Sequence, residues 1–144
     1  MQKKKEPLWN QVGTKLEPSR NQVGTTQNHP KYKGTEDSLQ KSVAQYLDAR
    51  KLLWCHPPNG GSRNIIEATK LKGMGVKSGV PDCLIFTKKR GYSGLAIELK
   101  VGYNKPSENQ KEFISGLEAN GWLCVVSHSL DECIDLIDWY LTQE

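Results

Sequence analysis

Three side chains near the middle of the chain, Asp82, Glu98 and Lys100, are of the types that grip a divalent cation and steer a water molecule. Asp82 follows Pro81 and opens an apolar run, Cys83-Leu84-Ile85-Phe86-Thr87, while Glu98 and Lys100 close a second run that begins Leu95-Ala96-Ile97. Between them, Lys88-Lys89-Arg90-Gly91-Tyr92-Ser93-Gly94 has the composition of a connection between two antiparallel strands. Facing residues of such a pair have position numbers of constant sum, so a turn centred near Arg90 sets Asp82 opposite Glu98. Strand side chains alternate, which puts Glu98 and Lys100 on that same face and sends Leu99 the other way into apolar packing. Facing carboxylates repel, and a fold has little reason to keep them unless a cation lies between them. Hard oxygen donors of this kind suit magnesium, with manganese able to substitute; a neighbouring lysine can hold or deprotonate an attacking water or offset phosphate charge.

The surrounding elements must hold that corner. Thr35 is placed to cap a helix that has Glu36 and Asp37 in its first turn and Leu39, Val43, Tyr46 and Leu47 at helical spacing. Glu36 is explained by the helix dipole alone, and Gln40 lies one turn further on the same face. Leu52 to His56 reads as a short strand ended by Pro57-Pro58 and the Asn59-Gly60-Gly61 turn, after which Ser62 is the expected cap of a helix carrying Ile65, Ile66, Ala68 and Leu71 inward. Glycines at an exposed turn beside a helix start let backbone amides approach a phosphate, so His56, Asn59 and Arg63, with Lys72 and Lys77 beyond, are candidate nucleic-acid contacts. His56 is equally readable as an ordinary hydrogen-bonding residue at a strand end. Pro81 fits the first residue of a strand and fixes the backbone before Asp82. Downstream, Ser107-x-x-Gln110 is a capping box opening a helix, Trp122 to Val126 reads as a buried strand, and Ser129 caps a last helix. The order helix, strand, helix, strand, strand, helix, strand, helix predicts an α/β domain with a central mixed sheet flanked by helices.

At 144 residues the chain predicts one folded domain, with 35–144 as the domain and 1–34 as a basic arm. The arm holds Lys3, Lys4, Lys5, Lys15, Arg20, Lys31 and Lys33 against Glu6 and Glu17, so of the formal net charge of +4 it carries +5 and the remainder −1. Poor in large apolar residues, it reads as an extended or disordered segment, and its repeat, Asn10-Gln11-Val12-Gly13-Thr14 and Asn21-Gln22-Val23-Gly24-Thr25, is too short to bury anything. A cationic arm permits a phosphate-bearing partner, and a solvated tail has the same composition. The cysteines, Cys55, Cys83, Cys124 and Cys133, form no CxxC pair and three of them sit in apolar runs, which predicts a reduced, cytoplasmic protein. No run approaches the length of a membrane span.

Asp82 followed by Glu98-x-Lys100 resembles the Asp…Glu-x-Lys signature of the restriction-endonuclease-like, or PD-(D/E)XK, superfamily. The wider context, His56-Pro57-Pro58-Asn59-Gly60-Gly61-Ser62-Arg63, Lys72-Gly73-Met74-Gly75-Val76-Lys77-Ser78-Gly79-Val80-Pro81-Asp82, Glu98-Leu99-Lys100 and Ser107-Glu108-Asn109-Gln110, resembles in order and spacing its VRR-NUC branch, notably small stand-alone phage and bacterial members. The likeness runs from about Thr35 to Leu141. It implies a restriction-endonuclease-like core and a magnesium-dependent nuclease acting on DNA, on branched junctions or flaps, as a homodimer. In a phage-encoded protein the site of action would be the host cytoplasm. It implies Asp82, Glu98 and the Leu99 carbonyl as metal ligands, Glu36 as a further acid from the first helix, Lys100 on the water, and Gln110 in the active site as well as in its cap. Two other readings share the sequence: a nucleic-acid-binding module that keeps the fold without cleaving, and a metal-dependent nucleotide hydrolase.

Overall fold

A computed structural model describes residues 32–58 and 64–142. Residues 1–31 of the arm, with its repeat, and Asn59, Ser62 and Arg63 lie outside the described residues. Eight elements follow in the expected order: α1 (Glu36–Ala49), β1 (Trp54–Cys55), α2 (Ile65–Gly73), β2 (Cys83–Ile85), β3 (Leu95–Leu99), α3 (Glu108–Ala119), β4 (Leu123–Ser127) and α4 (Leu130–Leu141). Local chemistry starts each helix. Thr35 Oγ1 accepts from the Ser38 amide, Ser129 Oγ from that of Glu132, and Ser107 with Gln110 closes a complete capping box.

The strands form one open sheet in the order β1-β2-β3-β4, antiparallel except for the parallel pair β3 and β4, which α3 connects as a crossover. Leu39, Val43 and Leu47 of α1 and Cys133, Leu136, Ile137 and Tyr140 of α4 pack with Cys83, Ile85, Leu95, Ile97 and Leu99 on one face. Ala96, Cys124 and Ile114 of α3, with Leu84, Leu117 and Trp122, form the smaller core on the other. Covered on both sides, β3 is buried along its whole length. Burial pushes the thiols of Cys83, Cys124 and Cys133 up to about 12, so they behave as small hydrophobes.

The hairpin is held in register at both ends. Cys83 pairs with Ile97, Leu84 with Ala96 and Ile85 with Leu95, and at the tip Lys89 bridges Tyr92 around Arg90 and Gly91, which both have positive φ as in a type I′ turn. Between ladder and tip the outgoing arm has three residues, Phe86-Thr87-Lys88, and the return arm two, Ser93-Gly94, which is the count of a β-bulge. The Tyr140 hydroxyl donates to Thr87 O at 2.6 Å and accepts from the Lys89 amide at 3.2 Å, tying the longer arm to α4. Arg90 stacks its guanidinium 3.8 Å over the Trp139 ring.

Helix α2 departs from expectation. Asn64, not Ser62, caps it, accepting from the Glu67 amide, and none of its residues is buried. Ile65 and Ile66, expected to point inward, are 84% and 83% exposed. The short β1, expected to span Leu52 to His56, is confined to Trp54–Cys55. Among the described residues no helix is long and apolar enough to cross a membrane.

Candidate active site

Continuing the β2–β3 register by one position sets Asp82 against Glu98, as the constant-sum argument requires. Both then face α3, with Leu84 and Ala96, while Cys83, Ile97 and Leu99 face α1 and α4. Glu98 is 2% exposed, a carboxyl group set inside a sheet. Its Oε1 accepts from Gln110 Nε2 at 2.8 Å and lies 3.4 Å from Lys100 Nζ. Its Oε2 is buried without a hydrogen-bond partner among the described residues. Burial first, and the charge of Asp82 second, push the Glu98 carboxyl up to about 8, against a smaller opposing pull from Lys100. A buried carboxylate oxygen that receives no donor and faces the Asp82 carboxylate costs free energy that a proton shared with Asp82, or a cation, would offset.

The neighbours of this pair are placed by backbone chemistry. The Leu99 amide donates to Asp82 Oδ2 at 2.8 Å, so Leu99 touches the site through its N–H. Gln110 serves in two ways at once: its Oε1 accepts from the Ser107 amide at 2.8 Å, closing the cap, and its Nε2 reaches Glu98. The cap thus aims the side chain that the site uses. Gly79 sets the distance of that helix from β2. Its φ is +82°, and a Cβ there would fall 2.4 Å from Asn109 O and 2.8 Å from the Gln110 amide nitrogen. Sequence reasoning found three glycines in this stretch and could not single out Gly79, because the close approach comes from a helix thirty residues on.

The other expected site residues divide. His56 is exposed, and its Nδ1 lies 2.6 Å from the main-chain oxygen of Asp82. Lys72 and Lys77 line a groove of about 990 Å³ between α2 and α3, together with Ser78, Asn109, Phe113 and Trp122. Asn109 Nδ2 donates to Ser78 Oγ at 3.2 Å across its edge, one residue from Gln110. Glu36 heads α1, and Gln40, one turn on, contacts Cys83 Sγ at 3.5 Å, the residue beside Asp82. Among the described residues no three His, Cys, Asp or Glu side chains converge as a metal cage. Two carboxylates, with main-chain oxygen and water completing the shell, are what magnesium characteristically takes from a protein.

A mixed sheet whose central hairpin carries Asp…Glu-x-Lys beneath a crossover helix defines a PD-(D/E)XK-like nuclease domain. The VRR-NUC domain profile matches residues 34–131. A solved structure described as a VRR_NUC domain protein has 34% sequence identity and a TM-score of 0.63, over 76% of this chain and 91% of that one. A second, described as a VRR_NUC domain, shares the fold at 24% identity and a TM-score of 0.50, over 73% of this chain and 96% of that one. No curated protein matches the sequence. The chain belongs to the VRR-NUC family, and its function is of the nuclease type.

Proposed function

We propose that this protein is a magnesium-dependent endonuclease that hydrolyses phosphodiester bonds in DNA, on branched or flap structures. The observation that carries the reading is the buried Glu98 carboxyl, with one oxygen unpartnered, set beside Asp82 and 3.4 Å from Lys100 Nζ. Asp82, Glu98 and the Leu99 carbonyl hold the ion, and manganese substitutes. When bound, magnesium supplies charge neutralisation at the scissile phosphate and sharpens the attacking water, together worth several kcal/mol of the barrier. Lys100 orients the water and takes or shares its proton. Gln110 fixes the Glu98 carboxylate by its Nε2, leaving Oε2 for the ion. Lys72 and Lys77, along the groove beside Gln110, and Asn59 and Arg63, outside the described residues, meet the DNA backbone. Glu36, in the first turn of α1, is the further acid that completes the set. A homodimer presents two such sites to two strands, and the bare apolar flank of α2 offers the contact.

The test is magnesium-dependent cutting of duplex, flap and four-way DNA, and of a mononucleotide diester, by wild type and Lys100→Ala. The expected result is cleavage of DNA by wild type alone, with loss of at least a hundredfold in the variant. Equal activity of the two proteins overturns the assignment. Turnover of the mononucleotide without cleavage of polymer overturns the substrate.

A further inference from the structure

We propose that His56 is a positioning residue, supplying through Nδ1 the hydrogen bond to the Asp82 carbonyl that the β1–β2 ladder cannot make; this rests on the reading of Asp82 as a metal ligand given above. Trp54 pairs with Ile85 and Cys55 with Leu84, so the same antiparallel register sets Leu53 against Phe86 and Pro57 against Asp82. The Phe86 amide donates to Leu53 O at 2.9 Å, which makes that pair one of the hydrogen-bonded kind. Such pairs alternate along an antiparallel ladder, so Cys55 with Leu84 and Pro57 with Asp82 are the next two. Proline has no N–H, and the bond due from position 57 to Asp82 O is therefore missing.

The side chain one residue earlier fills the gap. His56 Nδ1 lies 2.6 Å from Asp82 O, and because a carbonyl only accepts, the contact assigns the proton to Nδ1. On its other flank Asp82 is tethered through Oδ2 to the Leu99 amide. The residue is thus held between both neighbouring strands, by its main chain on one side and its side chain on the other. Removing His56 frees the β1 side and lets the carboxylate drift from the position in which it would hold an ion. Misplacement of a reacting group by about an ångström can cost on the order of a hundredfold in rate.

The variants separate this role from direct contact with DNA. Asparagine places its amide nitrogen about where Nδ1 stands, and glutamine about where Nε2 stands. His56→Ala is expected to lower kcat on four-way DNA ten- to a hundredfold with KM unchanged. It should also speed hydrogen exchange of the Leu99 amide in the metal-free protein by on the order of tenfold. His56→Asn should restore both, His56→Gln neither, and Pro57→Ala placed on top of His56→Ala should restore both by returning the ladder donor. Rescue by Gln and not Asn, or a raised KM with kcat intact, overturns the proposal in favour of substrate contact. A lowered melting temperature with kcat per folded molecule and Leu99 exchange unchanged overturns it in favour of a purely structural role. Wild type that neither cleaves nor is stabilised by magnesium overturns this proposal together with the metal reading. Wild type that does both, with His56→Ala its equal, overturns this proposal alone.

Discussion

Glu98→Gln removes the charge of this side chain while keeping its size, and so isolates what ionisation costs the fold. The carboxyl is pushed from an ordinary 4.5 up to about 8, chiefly by burial and then by Asp82. Between those values the folded protein holds a proton that the unfolded chain has released, so stability falls as pH rises through the window and levels off above it. The slope is about 1.4 kcal/mol per pH unit, or roughly 2 kcal/mol lost between pH 6 and pH 8 once the flattening near the upper end is included. Glutamine has no such term. Urea unfolding of metal-free protein at the two pH values should therefore show wild type losing roughly 2 kcal/mol more than Glu98→Gln. Magnesium added at pH 8 should recover stability in wild type, because binding requires the carboxylate, and should leave the variant unmoved and inactive. Parallel pH profiles for the two proteins would refute the argument, since Glu98 would then ionise in the fold as readily as in the open chain.

Gly79→Ala should destabilise by about 1–3 kcal/mol and depress cleavage, as the added methyl strains a positive φ and pushes against Asn109 and Gln110. Gly73→Ala is its control: nothing lies within 4 Å of an added Cβ, and thermal melts should show it neutral or stabilised by up to about 1 kcal/mol. Ile65→Ser with Ile66→Ser should leave unfolding free energy within about 0.5 kcal/mol, given their exposure, while light scattering should report a halved mass. An unchanged mass would remove α2 from the proposed dimer contact.

The eight elements and their order were legible because helix caps, apolar periodicity and turn residues are local signals. Thr35, Ser107 and Ser129 each announce a helix within four residues, and counting outward from Arg90 reaches the Asp82 to Glu98 facing because an extra residue in the outgoing arm offsets a turn centred between Arg90 and Gly91. What sequence could not supply was which apolar stripes find a cover. The stripe on α2 has the spacing of a core-facing one, but periodicity records only that one side is apolar, and Ile65 and Ile66 stand in the open. Glu36 carries two readings for a related reason: a first-turn acid satisfies the helix dipole wherever the helix packs. His56 in sequence fits a DNA contact and a plain hydrogen-bonding residue equally; its partner, the Asp82 carbonyl, lies across a strand pair whose register only the fold reveals.

The uneven arms of the hairpin act as a parity setting. With equal arms, the tight turn at Arg90-Gly91 would seat Leu99 opposite Asp82, and the two acids would look out from contrary sides of the sheet. The surplus residue among Phe86, Thr87 and Lys88 corrects the count by one, and the Tyr140 hydroxyl pins that surplus from a distant helix. A single-residue deletion in that arm would leave every acid in the chain and still unmake the cation corner, whereas paired changes in both arms would pass unnoticed.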